Sequence, residues 1–298
     1  MSLILNKALT VPHIMGIKDL GKWITEEIKD YMAGPVNSMG KWDNEPAWAE
    51  PLVGFSSGAD PLYEFYKQDI GDFYILPHEF MKHKYQRDYK PEQQTVISWI
   101  LPQTEATKRD HRRETHFPSE RWARSRIFGE QVNVKLREHV VEVLEEKGYD
   151  AVGPMISPIW KGAISEKYGF ASTWSERHAA YAAGLGTFGL SDALITPKGK
   201  AMRTGSVIVD AVIPPTPRPY ENHNEYCLFL TEGTCGKCIE RCPIGAITAK
   251  GHNKITCQKY VNMTRQYVSR HYGFDGYGCG FCQTGVPCES GIPEKEKN

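Results

Sequence analysis

Every cysteine of this 298-residue chain, eight in all, falls between Cys227 and Cys288. A disulfide scaffold spreads its cysteines through a small secreted domain, whereas a chain of this length can bury a substantial core without covalent staples. Eight thiols gathered at one end therefore read as metal ligands. A metal-binding module of this kind occupies roughly the last 75 residues, so about 220 remain for a second domain with work of its own.

The spacing narrows the metal. The stretch "GTCGKCIERCPIGAIT", residues 233–248, carries Cys235, Cys238 and Cys242, the last followed by Pro243. In two-cluster ferredoxins the run is C-x2-C-x2-C-x3-C-P, and its final cysteine ligates the other cluster. Here the first position of that run is Glu232. By the same exchange, Cys242 joins Cys257, Cys279 and Cys282 in one set, called cluster B. Cys235, Cys238 and Cys288 then lack one ligand, and Cys227 is the remaining thiol that can complete cluster A through a short loop. Zinc competes as the metal, because paired C-x2-C units also build zinc ribbons. The C-P-I-G-A-I continuation and the total of eight favour two [4Fe–4S] clusters.

Lys plus Arg and Asp plus Glu number 36 each, so the formal net charge is zero. That balance argues against a partner held by overall basicity, although a local patch is still allowed. No run of apolar residues is long enough for a membrane helix. The start, "MSLILNKALTVPHIMG", lacks a basic leader and a twin arginine, which predicts a cytoplasmic protein.

Periodicity predicts an amphipathic helix over 19–32 and irregular chain over 34–63, with Trp42 and Trp48 as pocket candidates. A buried strand is expected over 95–101. The arginine-rich stretch from Lys108 to Arg126 reads as a solvated face balanced by acids, or as a contact for an anionic group. A long helix follows from about residue 130. Thr173 and Glu176 have capping-box spacing ahead of an alanine-rich helix that ends in glycines, and 205–213 reads as a strand. The expected domains are 1–90, unassigned and packed on the core, 91–222 for cofactor and substrate, and 223–298 for the metals.

Three stretches carry a resemblance: "SERHAAYAAGLGTFGLSDALITPKGKAMRTGSVIVDA", "CGKCIERCPIGAI" and "YGCGFCQTGVPC". Together they resemble the core shared by epoxyqueuosine reductases and respiratory reductive dehalogenases, which are cobalamin-dependent enzymes with two [4Fe–4S] clusters. The resemblance implies an α+β chain, with a nitroreductase-like α/β corrinoid-binding domain fused to a ferredoxin-like module. It implies an anaerobic, cytoplasmic oxidoreductase that passes electrons through both clusters to a corrinoid. The expected partners are a small-molecule substrate and an external low-potential donor such as ferredoxin or flavodoxin. The competing readings are an electron carrier or reductive activator for another protein's corrinoid or metal centre, and a flavin enzyme.

The resemblance places the corrinoid near Ser172, Thr173, Gly184 and Gly186, where glycines allow close backbone approach. It assigns no cobalt-ligating role to His178. Phe170 stands where the epoxyqueuosine reductases carry an acidic proton donor, and Tyr168 is the candidate replacement. The tRNA-holding helical repeats of those enzymes do not follow the cysteines here. With the neutral charge, that argues against a tRNA substrate.

Overall fold

The segment Thr95–Pro102 is β-branched and aromatic at most positions, and all eight of its residues are buried. A strand covered on both faces reads as a continuous apolar run. The computed structural model, which describes residues 19–294 except Trp42, makes this segment a central strand. The leader reading and the pocket role of Trp42 lie outside the described residues.

In chain order the regular elements begin with α1 (Leu20–Ala33), β1 (Leu52–Ser57), α2 (Pro61–Ile70), α3 (Pro77–Tyr85), β2 (Thr95–Pro102), α4 (Glu105–Arg112) and α5 (Glu120–Glu146). They continue with β3 (Ala151–Val152), the hairpin β4 (Gly162–Ser165) and β5 (Gly169–Ser172), α6 (Glu176–Ala182), and the pair β6 (Thr187–Phe188) and β7 (Leu194–Ile195). After β8 (Met202–Val209) come α7 (Leu228–Glu232), α8 (Lys237–Glu240), β9 (Ile247–Thr248), β10 (Gly251–His252) and α9 (Lys254–Tyr272). The main sheet runs β1-β2-β8-β3, and every pairing in it is antiparallel. The chain is a mixed α and β fold.

Successive strand residues point to opposite faces, and the core divides accordingly. Ile97, Trp99, Val207 and Val209 pack with α1 and α5, through Ile24, Ile28, Leu136 and Val140 among others. Val96 and Ile208 face an aromatic layer in which Tyr63, Tyr66, Tyr74 and Phe80 surround Trp174. Trp99 Nε1 donates to Asn133 Oδ1 at 2.9 Å, so its one polar atom is satisfied inside the core. Trp99 pairs with Gly205 across the sheet, and a Cβ on Gly205 would come within 2.4 Å of the indole.

Several expectations are corrected. The stretch read as irregular contains β1, whose Leu52 to Ser57 pair in full with Ile100 to Thr95. A Gly-Pro-rich composition hid it, because its edge position needs no apolar run. The long helix starts at Glu120, ten residues earlier than expected, behind a Ser119 cap that accepts from Trp122 N. The arginines ahead of that stripe are helical and largely paired, Arg121 with Glu45 and Asp110, Arg124 with Glu120. The capping box of Thr173 and Glu176 does not form. Helix α6 begins after Ser175 with no side-chain cap, because Glu176 is buried against Arg137 and Ser206.

Candidate metal centres

The interval between Cys227 and Cys235 is filled by one helical turn where a short loop was expected. Cys227 caps α7, and its carbonyl accepts from the backbone N–H groups of Leu230 and Thr231, each at 3.0 Å. Gly233 then reverses the chain with φ 68°, a left-handed conformation that suits glycine. The result folds Cys227 back: Cys227, Cys235, Cys238 and Cys288 line one small cavity, and Lys200 lines it with them.

The other four cysteines come from three segments. Cys242 follows α8, and its sulfur accepts from Ala246 N at 3.2 Å. Cys257 lies in the first turn of α9, behind an Asn253 cap. Cys279 and Cys282 flank Gly280, which has φ 94° and whose Cβ, if present, would sit 2.0 Å from the Trp122 ring. Cys257 and Cys242 bear on one another electrostatically, as do Cys279 with Cys282 and Cys257. The two sets are contiguous, because Cys282 also acts on Cys238.

All eight cysteines are free thiols. Burial pushes the Cys238 thiol up to about 11 and the Cys279 thiol up to about 12, with neighbouring sulfurs adding to both. Among the described residues, no three His, Cys, Asp or Glu side chains converge closely enough to hold a single ion.

The metal end is tied to the sheet end. Arg112 pairs with Glu289, and the backbone N–H of Lys200 donates to the Cys288 carbonyl at 2.9 Å. His111 is fully buried and stacks between Trp122 and Phe281, with centroid separations of 4.3 and 4.8 Å. These contacts hold the Cys279 turn against α4 and α5.

A group of charged side chains borders the second set of cysteines. Arg177 is solvent-exposed, and Cys282 bears on it. Its guanidinium donates to the Asp192 carbonyl. The Asp192 carboxylate meets His252 at 3.1 Å and Lys254 at 3.9 Å, and it acts on Cys257. Nearby, Tyr168 donates to Asp69 Oδ2 at 2.6 Å and Lys167 to Asp69 Oδ1 at 2.5 Å. Burial and the Asp69 charge raise the Tyr168 hydroxyl above the ordinary tyrosine value, so it keeps its proton. His178 bonds Ser175 Oγ at 2.7 Å; burial, then Arg177, push its imidazole down to about 3, which leaves it neutral near pH 7.

The residues expected to border a corrinoid are otherwise engaged. Ser172 Oγ donates to the Trp174 carbonyl at 2.6 Å, and Thr173 Oγ1 accepts from Lys161 N at 3.0 Å. A Cβ on Gly184 would lie 2.6 Å from the Pro217 carbonyl oxygen, and one on Gly186 would lie 2.1 Å from that of Ile195. These glycines admit the chain's own backbone at close range. Tyr168 and Phe170 are exposed, each at 41%, on the β4–β5 hairpin. Asp69, Arg177, Asp192 and Lys200 were not singled out in the sequence. Arg177 lies inside the most specific of the resembling stretches, whereas Asp69 carries no sequence signal.

No family model matches the chain. It is similar to curated epoxyqueuosine reductases: that of Bacillus anthracis is 32% identical over 124 residues, which is 40% of this chain and 30% of the relative. The enzyme of Staphylococcus aureus matches with the same identity and coverage. The match thus spans under a third of the length of those relatives. Among solved structures, a catabolic reductive dehalogenase determined with 3-bromo-4-hydroxybenzoic acid aligns over 91% of this chain and 37% of its own, at TM-score 0.50 and 13% identity. An epoxyqueuosine reductase determined with an epoxyqueuosine-modified tRNA stem loop aligns over 92% of this chain and 67% of its own, at TM-score 0.47 and 18% identity.

The chain therefore resembles the cobalamin-dependent iron–sulfur reductases of the epoxyqueuosine reductase and reductive dehalogenase type. The particular proteins it matches in sequence are epoxyqueuosine reductases. That corrects the expectation of a small-molecule substrate and the argument against tRNA, since a protein of that name has been solved with a tRNA stem loop. The argument failed physically because a net charge of zero does not report local charge. No helix among the described residues is long and apolar enough to cross a membrane.

Proposed function

We propose that this chain is a corrinoid-dependent iron–sulfur oxidoreductase whose substrate is an epoxide-bearing modified nucleoside in tRNA. The observation that carries the proposal is the gathering of eight free thiols, four of them around one cavity, in a chain similar to epoxyqueuosine reductases. Cys227, Cys235, Cys238 and Cys288 would hold one [4Fe–4S] cluster, and Cys242, Cys257, Cys279 and Cys282 the other, in a ferredoxin-like module over 223–298. The donor set fits: each group supplies four thiols, the number such a cluster takes.

The corrinoid would lie beside Arg177 and the Cys242–Cys282 set, and there supply a strongly reducing centre. The chain's own residues do the rest. Arg177 and Lys254 present positive charge to an anionic substituent or to backbone phosphate. Tyr168 holds a proton at its hydroxyl, aimed at Asp69, and is the group placed to deliver one to the reacting oxygen. Lys167 keeps Asp69 ionised, so the pair does not lose its polarity as substrate enters. The neutral His178 packs against Tyr66 and Phe188 and adds no charge.

The test is anaerobic reconstitution with iron, sulfide and hydroxocobalamin, followed by metal analysis and incubation with epoxyqueuosine-containing tRNA and a chemical reductant. About eight irons and one cobalt per chain, with loss of the epoxide, are expected. Eight irons with no corrinoid under any condition would overturn the reading in favour of an electron carrier.

A further inference from the structure

Lys200 is 2% exposed and lies immediately before β8, among the cysteines. It lines the cavity of the first set with Cys238 and Cys288, the sulfurs of Cys288 and Cys282 bear on its charge, and its ammonium donates to Ser191 Oγ at 3.5 Å. Ser191 in turn bears on Cys282. Cys288 belongs to one set of four thiols and Cys282 to the other, so a single cation lies within the electrostatic reach of both, and the hydroxyl bonded to it bears on the second.

A buried ammonium requires a counter-charge. The neighbouring Glu289 carboxylate is taken by Arg112, and among the described residues no carboxylate pairs with Lys200. The anions that remain are the sulfurs. Lys200 is thus placed to be neutralised by the two metal centres together, and the backbone contact of its N–H with Cys288 fixes it there.

We infer that Lys200 is a shared cation that raises the reduction potentials of both metal centres, with Ser191 relaying its effect to the centre that contains Cys282. This rests on the proposed function, in which the thiols hold iron–sulfur clusters. Each cluster gains one negative charge when it takes one electron, and an adjacent fixed cation stabilises that reduced form. Net charge and hydrogen bonds to the sulfurs are the levers that set such potentials.

The experiment is an anaerobic redox titration of the full chain, followed by electron paramagnetic resonance, on wild type, Lys200→Met, Lys200→Arg and Ser191→Ala. The two signals are assigned with Cys227→Ser, which removes one centre. Lys200→Met should lower both midpoints by at least about 59 mV, a tenfold change in the reduced-to-oxidised ratio of a one-electron couple. Lys200→Arg should hold both near wild type, and Ser191→Ala should lower only the Cys282 centre. A Lys200→Met protein with eight irons and either midpoint unmoved overturns the inference alone. If Lys200→Met does not assemble, Ser191→Ala decides: a shift at neither centre, or an equal shift at both, overturns it. A wild-type chain that takes up zinc and no iron overturns the cluster reading and this inference with it.

Discussion

At the scale of single residues, the two strongest consequences concern Tyr168 and Cys227. If Tyr168 delivers the proton, Tyr168→Phe removes one hydroxyl and leaves the ring and the hairpin in place. Turnover of the reconstituted protein should fall about 10²-fold or more, with iron and cobalt contents unchanged; turnover within twofold of wild type would remove Tyr168 from that role. Cys227→Ser should halve the iron, from about eight to about four per chain, and leave one reduced signal at normal intensity. Retention of all eight irons would show that the helical turn of α7 does not supply a ligand. The same scale shows what sequence alone missed. Asp69 is a single acid on α2, a helix whose Tyr63, Tyr66 and Ile70 are buried in the aromatic layer, and only the approach of the β4–β5 hairpin gives it Tyr168 and Lys167 as partners.

At the scale of elements, the glycine-rich exit of α6 is the informative case. Sequence read its glycines as room for a cofactor, and the fold uses that room for crossing backbone. Gly186→Ala should therefore lower the thermal midpoint, by the equivalent of about 1–3 kcal/mol for a side chain forced into filled space, while corrinoid affinity changes little. A variant of wild-type stability that loses corrinoid would favour the cofactor reading. The helix α6 itself carries a pH consequence through His178. Its imidazole is held at about 3 in the folded chain, below the ordinary value near 6.5 in the unfolded chain. The unfolded state thus binds the proton first as pH falls. The stability His178 contributes is complete above about 6.5 and is lost progressively down to about 3. His178→Phe should flatten the fall of thermal midpoint across that window; an unchanged acid profile would mean that another group carries it.

At the scale of the whole molecule, the sheet and the metal end are joined by a few specific ties, among them the Arg112 to Glu289 pair and the Lys200 to Cys288 hydrogen bond. They hold the segment of Cys288 and Glu289 against α4 and the start of β8. Much of the chain's local structure was legible beforehand because it depends on short-range pattern. The run from Thr95 to Leu101 announces a strand covered on both faces, the stripe from Val132 to Leu144 a helix, and the spacing of Cys235, Cys238, Cys279 and Cys282 a pair of thiol sites. The proposed partition of eight thiols into two sets comes from counting, since the exchange rule leaves one cysteine for one vacancy. What pattern could not reach is whatever depends on chains meeting from far apart: β1 at the sheet edge, backbone against Gly184 and Gly186, Asp69 beneath Tyr168, and Lys200 between two sets of sulfurs. Sequence determined the elements and the thiol chemistry, because both are written in residue type and spacing. Tertiary structure alone decided which charges share a buried site, because burial and neighbours across hundreds of residues are properties of the packed chain.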